Sequence, residues 1–180
     1  MKALDICNTL MIFGLISTVA SCFETRAQEP NCEGLCPDGW VYFRCSCYLF
    51  MDIMKASWTE AEHHCETHKA TLVIIETNAE NLFVIDFARR LYKTDRRPTN
   101  SFWIGATDTV TEGLWTWYTD DSPLNFTGWA PTEPDNKVDQ DCVLLGGPYN
   151  YLWDDDHCSL TASFICEKGL SYLSGPDLIG

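Results

Sequence analysis

Cysteine is the residue that most constrains how this chain can fold. The 180 residues contain ten cysteines, and such a number indicates folding in an oxidising compartment. Two of them, Cys7 and Cys22, lie in an N-terminal segment that we expect to be removed. The eight that remain are an even number, as a closed framework of disulfides requires.

The first 27 residues are typical of a secretory signal peptide. Lys2 supplies the positive charge at the start, and residues 10–20 form the apolar run that follows it. This run is too short to cross a bilayer, and no later run is long enough. Cleavage after Ala20, Cys22 or Ala27 fits equally well. We therefore expect a secreted, extracellular protein without a membrane span; a buried N-terminal helix is the alternative.

Acidic residues dominate the charge of the chain. They number 26 against 12 basic residues, which gives a net charge of −14. This excess excludes nucleic acid as a partner, because phosphate binding needs a basic face. An apolar content of 46% excludes a disordered acidic tail. Residues 108–156 carry eleven acids and a single base, Lys137, so most of the excess lies in one window.

Local patterns predict two helices. Ser57 and Glu60 have the spacing of a capping box at the start of the first helix. Thr77 and Glu80 repeat this spacing at the start of a second helix that runs to about Lys93. The helices place the chain in a class that contains α structure.

The rest of the chain predicts strands and loops. Residues 36–50 indicate two short strands around a turn, and residues 72–75 indicate another strand. Beyond Phe102, short aromatic runs alternate with turn-forming residues, as in strands joined by long loops. We predict one α+β domain over residues 36–168, an N-terminal extension over 28–35 and a mobile tail over 169–180.

The acids after residue 107 stand in groups that suit a hard cation. Because neighbouring carboxylates repel one another, a bound cation would stabilise them, and Ca²⁺ takes six to eight oxygen ligands from irregular loops. Zn²⁺ prefers nitrogen and sulfur. No EF-hand string is present, and a solvated acidic surface is the alternative. The groups are Asp108 with Glu112, Glu133 with Asp135, Asp139 with Asp141, and Asp154 with Asp155 and Asp156.

Five short motifs occur in the order found in C-type lectin domains. They are Trp103-Ile104-Gly105, Glu133-Pro134-Asp135, Gln140-Asp141-Cys142-Val143, Trp153-Asp154-Asp155 and Phe164-Ile165-Cys166-Glu167. Over residues 36–168 the chain therefore resembles the C-type lectin domain family. The resemblance implies an α+β double-loop fold with two helices, small antiparallel sheets and a long calcium-binding loop region.

The resemblance also implies a pairing of the cysteines. In this family Cys65 would pair with Cys166 and Cys142 with Cys158, while Cys36 and Cys47 resemble the N-terminal hairpin pair of long-form domains. Cys32 and Cys45 are left over. Either they form a further local bridge, or they link chains into a homo-oligomer.

A principal calcium site follows from the same resemblance. In this family two vicinal sugar hydroxyls complete the calcium shell, donating to ligand carboxylates and accepting from ligand amides. Family members with Glu-Pro-Asn tend to bind mannose-type sugars, and those with Gln-Pro-Asp tend to bind galactose-type sugars; this chain has Glu-Pro-Asp. The implied ligands are Glu133, Asp135, Gln140, Asp154 and Asp155.

Two of these ligands also depart from the family pattern. Asp154 stands where an Asn is usual, and Gln140 stands where a Glu is usual. The segment before Cys142 is one residue shorter than in mannose-binding relatives, so Asp139 is an alternative to Gln140. Glu133 at the first position favours mannose-type sugars or a broad preference.

A second, auxiliary calcium site is implied as well. Its usual role in the family is to brace the long loop and a cis bond between Glu133 and Pro134. The matching residues are Asp108, Glu112, Asn136 and Asp141.

Enzymatic activity is not expected. The paired carboxylates are assigned to metal rather than to glycoside cleavage, and no Ser-His-Asp order or Gly-rich phosphate loop is present. Asn125 begins an N-glycosylation sequon. The main hypothesis is a calcium-dependent lectin that recognises glycans on cells or microbes in innate immunity. The alternative is a protein- or mineral-binding module in which calcium is structural.

Overall fold

A computed structural model of the chain describes residues 32–93, 99–135, 137 and 139–172. The predicted signal peptide and residues 28–31 of the extension lie outside these ranges. The helices are α1 (Trp58–Thr67) and α2 (Asn78–Leu91). The strands are β1 (Cys32–Glu33), β2 (Val41–Phe43), β3 (Ser46–Ala56), β4 (Thr71–Leu72), β5 (Phe102–Thr107), β6 (Thr116–Trp117), β7 (Cys142–Gly146), β8 (Leu152–Asp156), β9 (Ala162–Gly169) and β10 (Ser171–Tyr172).

Eight of the strands form one mixed sheet in the order β2-β3-β9-β5-β7-β8, with β4 paired to β9 and β6 to β5. Strands β5 and β9 are parallel, with Phe102 opposite Ser163. The predicted α+β class with two helices is confirmed, but the sheet is mixed and continuous rather than a set of small antiparallel sheets. The order places β8 at the edge of this sheet, where the long loop reaches it.

Both ends of the described chain are held by backbone pairing. Cys32 lies opposite Tyr172 in the antiparallel pair of β1 and β10. In the first residues of the predicted tail, Gly169 ends β9 and the residues of β10 pair with β1; the mobility of the tail stays a prediction. Hydrogen-bonded structure therefore extends beyond the predicted domain limits of 36 and 168. The tail residues 173–180 lie outside the described part.

The helix starts follow the predicted caps with one difference. At α1 the Ser57 hydroxyl accepts from the Glu60 amide, and the Glu60 carboxylate accepts from the Ser57 amide at 2.9 Å. At α2 the Thr77 hydroxyl accepts from the Glu80 amide. The reciprocal half of that box is missing, because the Glu80 carboxylate accepts from the Tyr48 hydroxyl at 2.6 Å. The Glu76 amide, one residue before the cap, also donates to this carboxylate at 3.1 Å, so Glu80 serves a long-range and a local donor instead of the Thr77 amide.

Apolar side chains fill both faces of the central strands. All six residues of β5 are buried, as expected for a strand covered on two sides. Trp103 packs with α1 on one face, and Ile104 packs with α2 on the other.

Both helices of the described residues fall short of the length and apolar character that a membrane span requires.

Four disulfides link cysteines within the described part of the chain. Cys65 bonds to Cys166, which joins α1 to β9 across 101 positions of sequence. In the chain-entropy model, closing a loop of that length stabilises the fold by about 4–5 kcal/mol. Cys32 and Cys45 bond to each other within the chain, which is the local alternative. The remaining pairs are Cys36–Cys47 and Cys142–Cys158.

Candidate metal centre in the long loop

The loop between β6 and β7 is anchored on the edge strand β8. The Trp153 amide donates to the Gly128 carbonyl at 2.9 Å, and the Ala130 amide donates to the Trp153 carbonyl at 2.8 Å. The Trp153 indole donates to the Asn81 side chain of α2 at 2.9 Å. The loop segment that leads to Glu133 is thus fixed by both a strand and a helix.

Three carboxylates converge where this loop segment meets β8. Glu133, Asp135 and Asp155 each offer an oxygen within 4.8 Å of the others. The Asp135 amide donates to both Glu133 and Asp155, at 3.1 Å each. The bond between Glu133 and Pro134 is cis. Three of the five predicted principal ligands therefore face one small volume.

Gln140 is hydrogen-bonded to the backbone of Asp155, one of the three converging acids. Its amide nitrogen donates to the Asp155 carbonyl at 2.7 Å. Its Oε1 atom is buried and accepts no hydrogen bond from the described residues. Asp139, the alternative ligand, is exposed, and its carbonyl accepts from the His157 ring at 2.8 Å. A buried oxygen without a donor is costly, so a hard cation such as Ca²⁺ fits this donor set.

Asp154 lies beside the three converging carboxylates rather than among them. Successive residues of a strand point to opposite faces, and Asp155 is buried while Asp154 is half-buried. Burial, followed by the charge of Glu133, raises the pKa of Asp154 to about 7. Burial and the charges of Asp135 and Asp155 likewise raise the pKa of Glu133. Each shift reflects burial of the carboxyl group first and the negative charge of its neighbours second.

Lys137 is a neighbour of the site whose role the sequence analysis did not recognise. Its ammonium group lies 2.5 Å from the Asp135 carboxylate. The available signal was that Lys137 is the single base in the acidic window 108–156. A cation at this site would compete with Lys137 for Asp135.

The predicted auxiliary residues also lie near one another. Asp108 is buried, its amide donates to the Asp141 carbonyl at 3.2 Å, and its Oδ2 accepts from Gly113 at 2.8 Å. Its Oδ1 is buried and has no hydrogen-bond partner in the described part of the chain. Partial desolvation and the charges of Asp108 and Asp141 raise the pKa of Glu112. Asn136 lies outside the described residues.

Two other sequence predictions concern the surface and the aromatic residues. Asn125 is exposed, and its glycosylation stays a prediction. Trp117 is buried, whereas Trp115 and Trp129 are half-buried and meet edge to face, with ring centres 5.2 Å apart. These tryptophans pack against the core cluster.

A second group of acids lies between α2 and β9, and the sequence analysis did not single it out. Glu80 accepts from the Tyr48 hydroxyl, and Glu167 accepts from the Ile74 amide at 3.1 Å. Burial, followed by the charge of Glu80, raises the pKa of Glu167 to about 7. Both acids line a cavity of about 480 Å³. We call this pair the inner acid pair.

Comparison with known proteins identifies the family. The profile of the Lectin C-type domain matches residues 54–168. The chain belongs to the C-type lectin domain family. Its members are non-enzymatic carbohydrate-binding proteins, so the acids of the loop belong to a binding domain.

Several C-type lectins resemble this chain in sequence. Human C-type lectin domain family 17, member A, is 38% identical over 76% of this chain, which spans about 33% of that protein. Perlucin from Haliotis laevigata is 36% identical over 74% of this chain and 83% of its own length. The alpha-N-acetylgalactosamine-specific lectin of Patiria pectinifera is 31% identical over 85% of this chain and 90% of its own.

The same fold occurs in solved structures of a C-type lectin and of an antifreeze protein. The carbohydrate-recognition domain of mouse scavenger receptor C-type lectin has a TM-score of 0.65 and 33% identity, covering 77% of this chain and 99% of its own. A calcium-independent type II antifreeze protein has a TM-score of 0.64 and 26% identity, covering 76% and 95%. The fold thus carries more than one kind of binding.

Proposed function

We propose that this protein is a secreted, calcium-dependent lectin that recognises glycans on cells or microbes, in the manner of innate immune recognition. The observation that carries the proposal is the convergence of Glu133, Asp135 and Asp155. Gln140 bonds to the Asp155 carbonyl, and its Oε1 is buried with no partner among the described residues. Anionic and neutral oxygens in an irregular loop are the ligands that Ca²⁺ takes.

The principal calcium would be held by these four residues together with Asp154, and an auxiliary calcium by Asp108, Glu112 and Asp141. Calcium in the principal site supplies coordination positions for two sugar hydroxyls. The chain itself supplies the acceptors, because carboxylates such as Glu133 and Asp135 accept hydrogen bonds from hydroxyl groups. The Gln140 amide supplies one donor.

The sugar class that we propose is mannose-type, or a broad range that includes it. Glu133 stands first in the Glu-Pro-Asp motif, as in the mannose-type motif of the family. Asp135 stands third, as in the galactose-type motif, and the related Patiria pectinifera lectin is named for N-acetylgalactosamine. Sugars of both types therefore belong in any test.

Secretion is supported by the four disulfides within the chain. Disulfides persist in oxidising compartments and are rare in the cytosol. The apolar run at residues 10–20 is consistent with a signal peptide.

A glycan array with the disulfide-bonded protein tests this proposal. We expect binding to mannose-type glycans in calcium and its loss in EDTA. The Glu133→Ala, Asp135→Ala double variant should lose binding, whereas Asp120→Ala, Asp121→Ala removes the same charge from an exposed turn and should retain it. Absence of binding to every glycan in calcium, or binding that persists in the first variant, would refute the proposal.

The second candidate is a protein- or mineral-binding module with structural calcium. It is favoured by the acids Asp135 and Asp154 at positions where sugar-binding relatives carry amides, which leaves few hydrogen-bond donors for sugar. The similarity to a type II antifreeze protein supports a role other than sugar binding. Calcium binding without any glycan binding would favour this candidate.

A further inference from the structure

An aromatic side chain lies directly beside the principal site. Tyr149 ends the 3₁₀ turn Gly147–Tyr149 between β7 and β8. The charges of Asp154 and Glu133, followed by burial and a hydrogen bond to Glu133, raise the pKa of Tyr149. The side chain is nevertheless 39% exposed. Tyr149 therefore contacts a proposed ligand while keeping part of its ring open to solvent.

A glycine makes room for this ring. A Cβ atom placed on Gly146 would lie 2.9 Å from Cδ2 of Tyr149 and 3.4 Å from Cβ of Asp154. Real Cβ atoms do not approach ring carbons so closely. The missing side chain at Gly146 thus allows the Tyr149 ring to lie against β7, next to Asp154.

The turn after Tyr149 is held in a conformation that L-residues seldom adopt. Asn150 and Tyr151 both have left-handed backbones, with φ of 58° and 64°, and two such residues in succession cost free energy. Arg89 of α2 donates to the Asn150 side chain at 3.0 Å and to its carbonyl at 3.1 Å. The Tyr151 ring is buried. The helix and the core together fix the turn and direct Tyr149 toward the site.

We propose that Tyr149 is a sugar-contacting residue that sets the sugar preference of the loop site, with Arg89 as its positioning residue. The inference rests on the proposed function. Asp135 and Asp154 cannot donate hydrogen bonds when ionised, so the site is short of donors. The Tyr149 hydroxyl supplies one by turning from Glu133 to a sugar oxygen, and its ring offers an apolar face to the C–H groups of a pyranose.

The test compares sugar preference among variants at saturating calcium. Dissociation constants for mannose, N-acetylglucosamine and galactose are measured by competition for the parent, Tyr149→Ala, Tyr149→Phe and the control Tyr42→Ala, which removes an exposed tyrosine from β2. We expect Tyr149→Ala to change the ratio of two of these constants at least about fivefold, the effect of one hydrogen bond. Tyr149→Phe should change it less, and Tyr42→Ala should not change it.

Calcium affinity in the absence of sugar is the second measurement. It should fall by no more than about tenfold in Tyr149→Ala, because the interaction lost is one hydrogen bond to the Glu133 carboxylate, whereas loss of a ligand charge costs far more. Arg89→Ala should change sugar preference in the same direction as Tyr149→Ala, and Arg89→Lys should restore part of it. This rescue distinguishes positioning from a general loss of stability.

The outcomes distinguish a failure of the proposed role of Tyr149 from a failure of the lectin proposal. Sugar binding with unchanged preference in Tyr149→Ala would overturn the role of Tyr149 and leave the lectin proposal intact. A preference that is unchanged in Arg89→Ala would overturn the positioning role. A parent protein that binds calcium but none of the three sugars or the glycans of the array would reject the lectin proposal, and the role of Tyr149 with it.

Discussion

The carboxylates of the long loop and the inner acid pair are both crowded, but they differ in their partners. Each group contains one acid whose pKa is raised to about 7 with burial as the main cause, Asp154 in the loop and Glu167 in the inner pair. The inner pair receives hydrogen bonds from Tyr48 and Ile74. In the loop, Gln140 keeps a buried oxygen that accepts no bond from the described residues.

The difference follows from where the two groups lie. Glu80 is in the first turn of α2, where unpaired amides are available, and the Glu76 amide donates to it at 3.1 Å. The loop group lies where an irregular segment meets an edge strand, and the Asp135 amide serves two carboxylates at once. Crowding of acids alone therefore does not distinguish the two groups, whereas the buried Gln140 oxygen without a donor among the described residues does.

Removing one loop carboxylate should have the largest effect, a loss of calcium affinity that sets the loop apart from the inner acid pair. Asp155→Asn keeps the shape of a buried ligand but removes its charge, and we expect calcium affinity to fall by at least about a hundredfold, since ligand charge sets the affinity of such sites. Calorimetric titration measures the change. Asp120→Asn, an exposed acid of the same window, should titrate like the parent. An unchanged affinity in Asp155→Asn would show that calcium binds elsewhere.

Neutralising Glu167 of the inner acid pair should change the stability of the fold and leave calcium binding unchanged. The pKa of Glu167 is higher in the folded chain than in the unfolded one, so the folded state binds more protons between about pH 4.5 and 7 and stability falls as pH rises through this range. Glu167→Gln should reduce this fall and raise the free energy of unfolding at pH 8 by about 1–3 kcal/mol.

Urea denaturation in EDTA at pH 5 and pH 8 measures this effect. The control Glu76→Gln changes an exposed acid close to the pair and should keep the pH dependence of the parent. A Glu167→Gln variant that loses as much stability as the parent between these pH values would contradict the assignment of the raised pKa to Glu167.

Protons should compete with calcium in the loop. With a pKa of about 7 in the metal-free protein, Asp154 must lose a proton before it ligates a cation. Calcium affinity should therefore fall below pH 7, by at most about tenfold per unit for one proton. Titrations at pH 5.5, 6.5 and 7.5 should show a smaller dependence in Asp154→Asn than in Asp121→Asn; equal slopes would place the competing proton on another group.

The smallest effect is expected from Lys137, which pairs with Asp135 from a largely exposed position. An exposed ion pair is worth up to about 1 kcal/mol, so its removal in Lys137→Ala should tighten calcium binding by about two- to fivefold. Lys93→Ala, with the same change of charge outside the loop, should have less effect. Weaker calcium binding in Lys137→Ala would mean that Lys137 supports the site rather than competing for it.

Local signals and ordered motifs predicted much of the fold. The Ser57 cap depends on residues three apart, and the motif around Glu133 is contiguous, so both were visible in the sequence. The parallel pair of β5 and β9 and the strand formed by Ser171 and Tyr172 depend on backbone pairing between distant segments. No local pattern encodes such pairing, so neither the parallel pair nor the terminal strand was visible in the sequence.

The features of the site also fall into two groups, those visible in the sequence and those that depend on tertiary contacts. The Glu-Pro-Asp motif predicted which loop acids to consider, but the contact between Tyr149 and Glu133 joins residues 16 positions apart through a turn that Arg89 fixes from another element. The diversion of Glu80 from its cap to Tyr48 is a second example. Side-chain contacts across elements depend on tertiary geometry, and single-sequence patterns do not report it.

Carboxyl-carbon NMR during a calcium titration follows each acid separately and therefore reports directly which carboxylates bind calcium. The account predicts that the signals of Glu133, Asp135 and Asp155 shift first, within the first equivalents of calcium, while those of Glu80 and Glu167 keep their metal-free positions. If the signals of Glu80 and Glu167 shift first and the loop acids do not respond, the loop is not the calcium site and the account is contradicted.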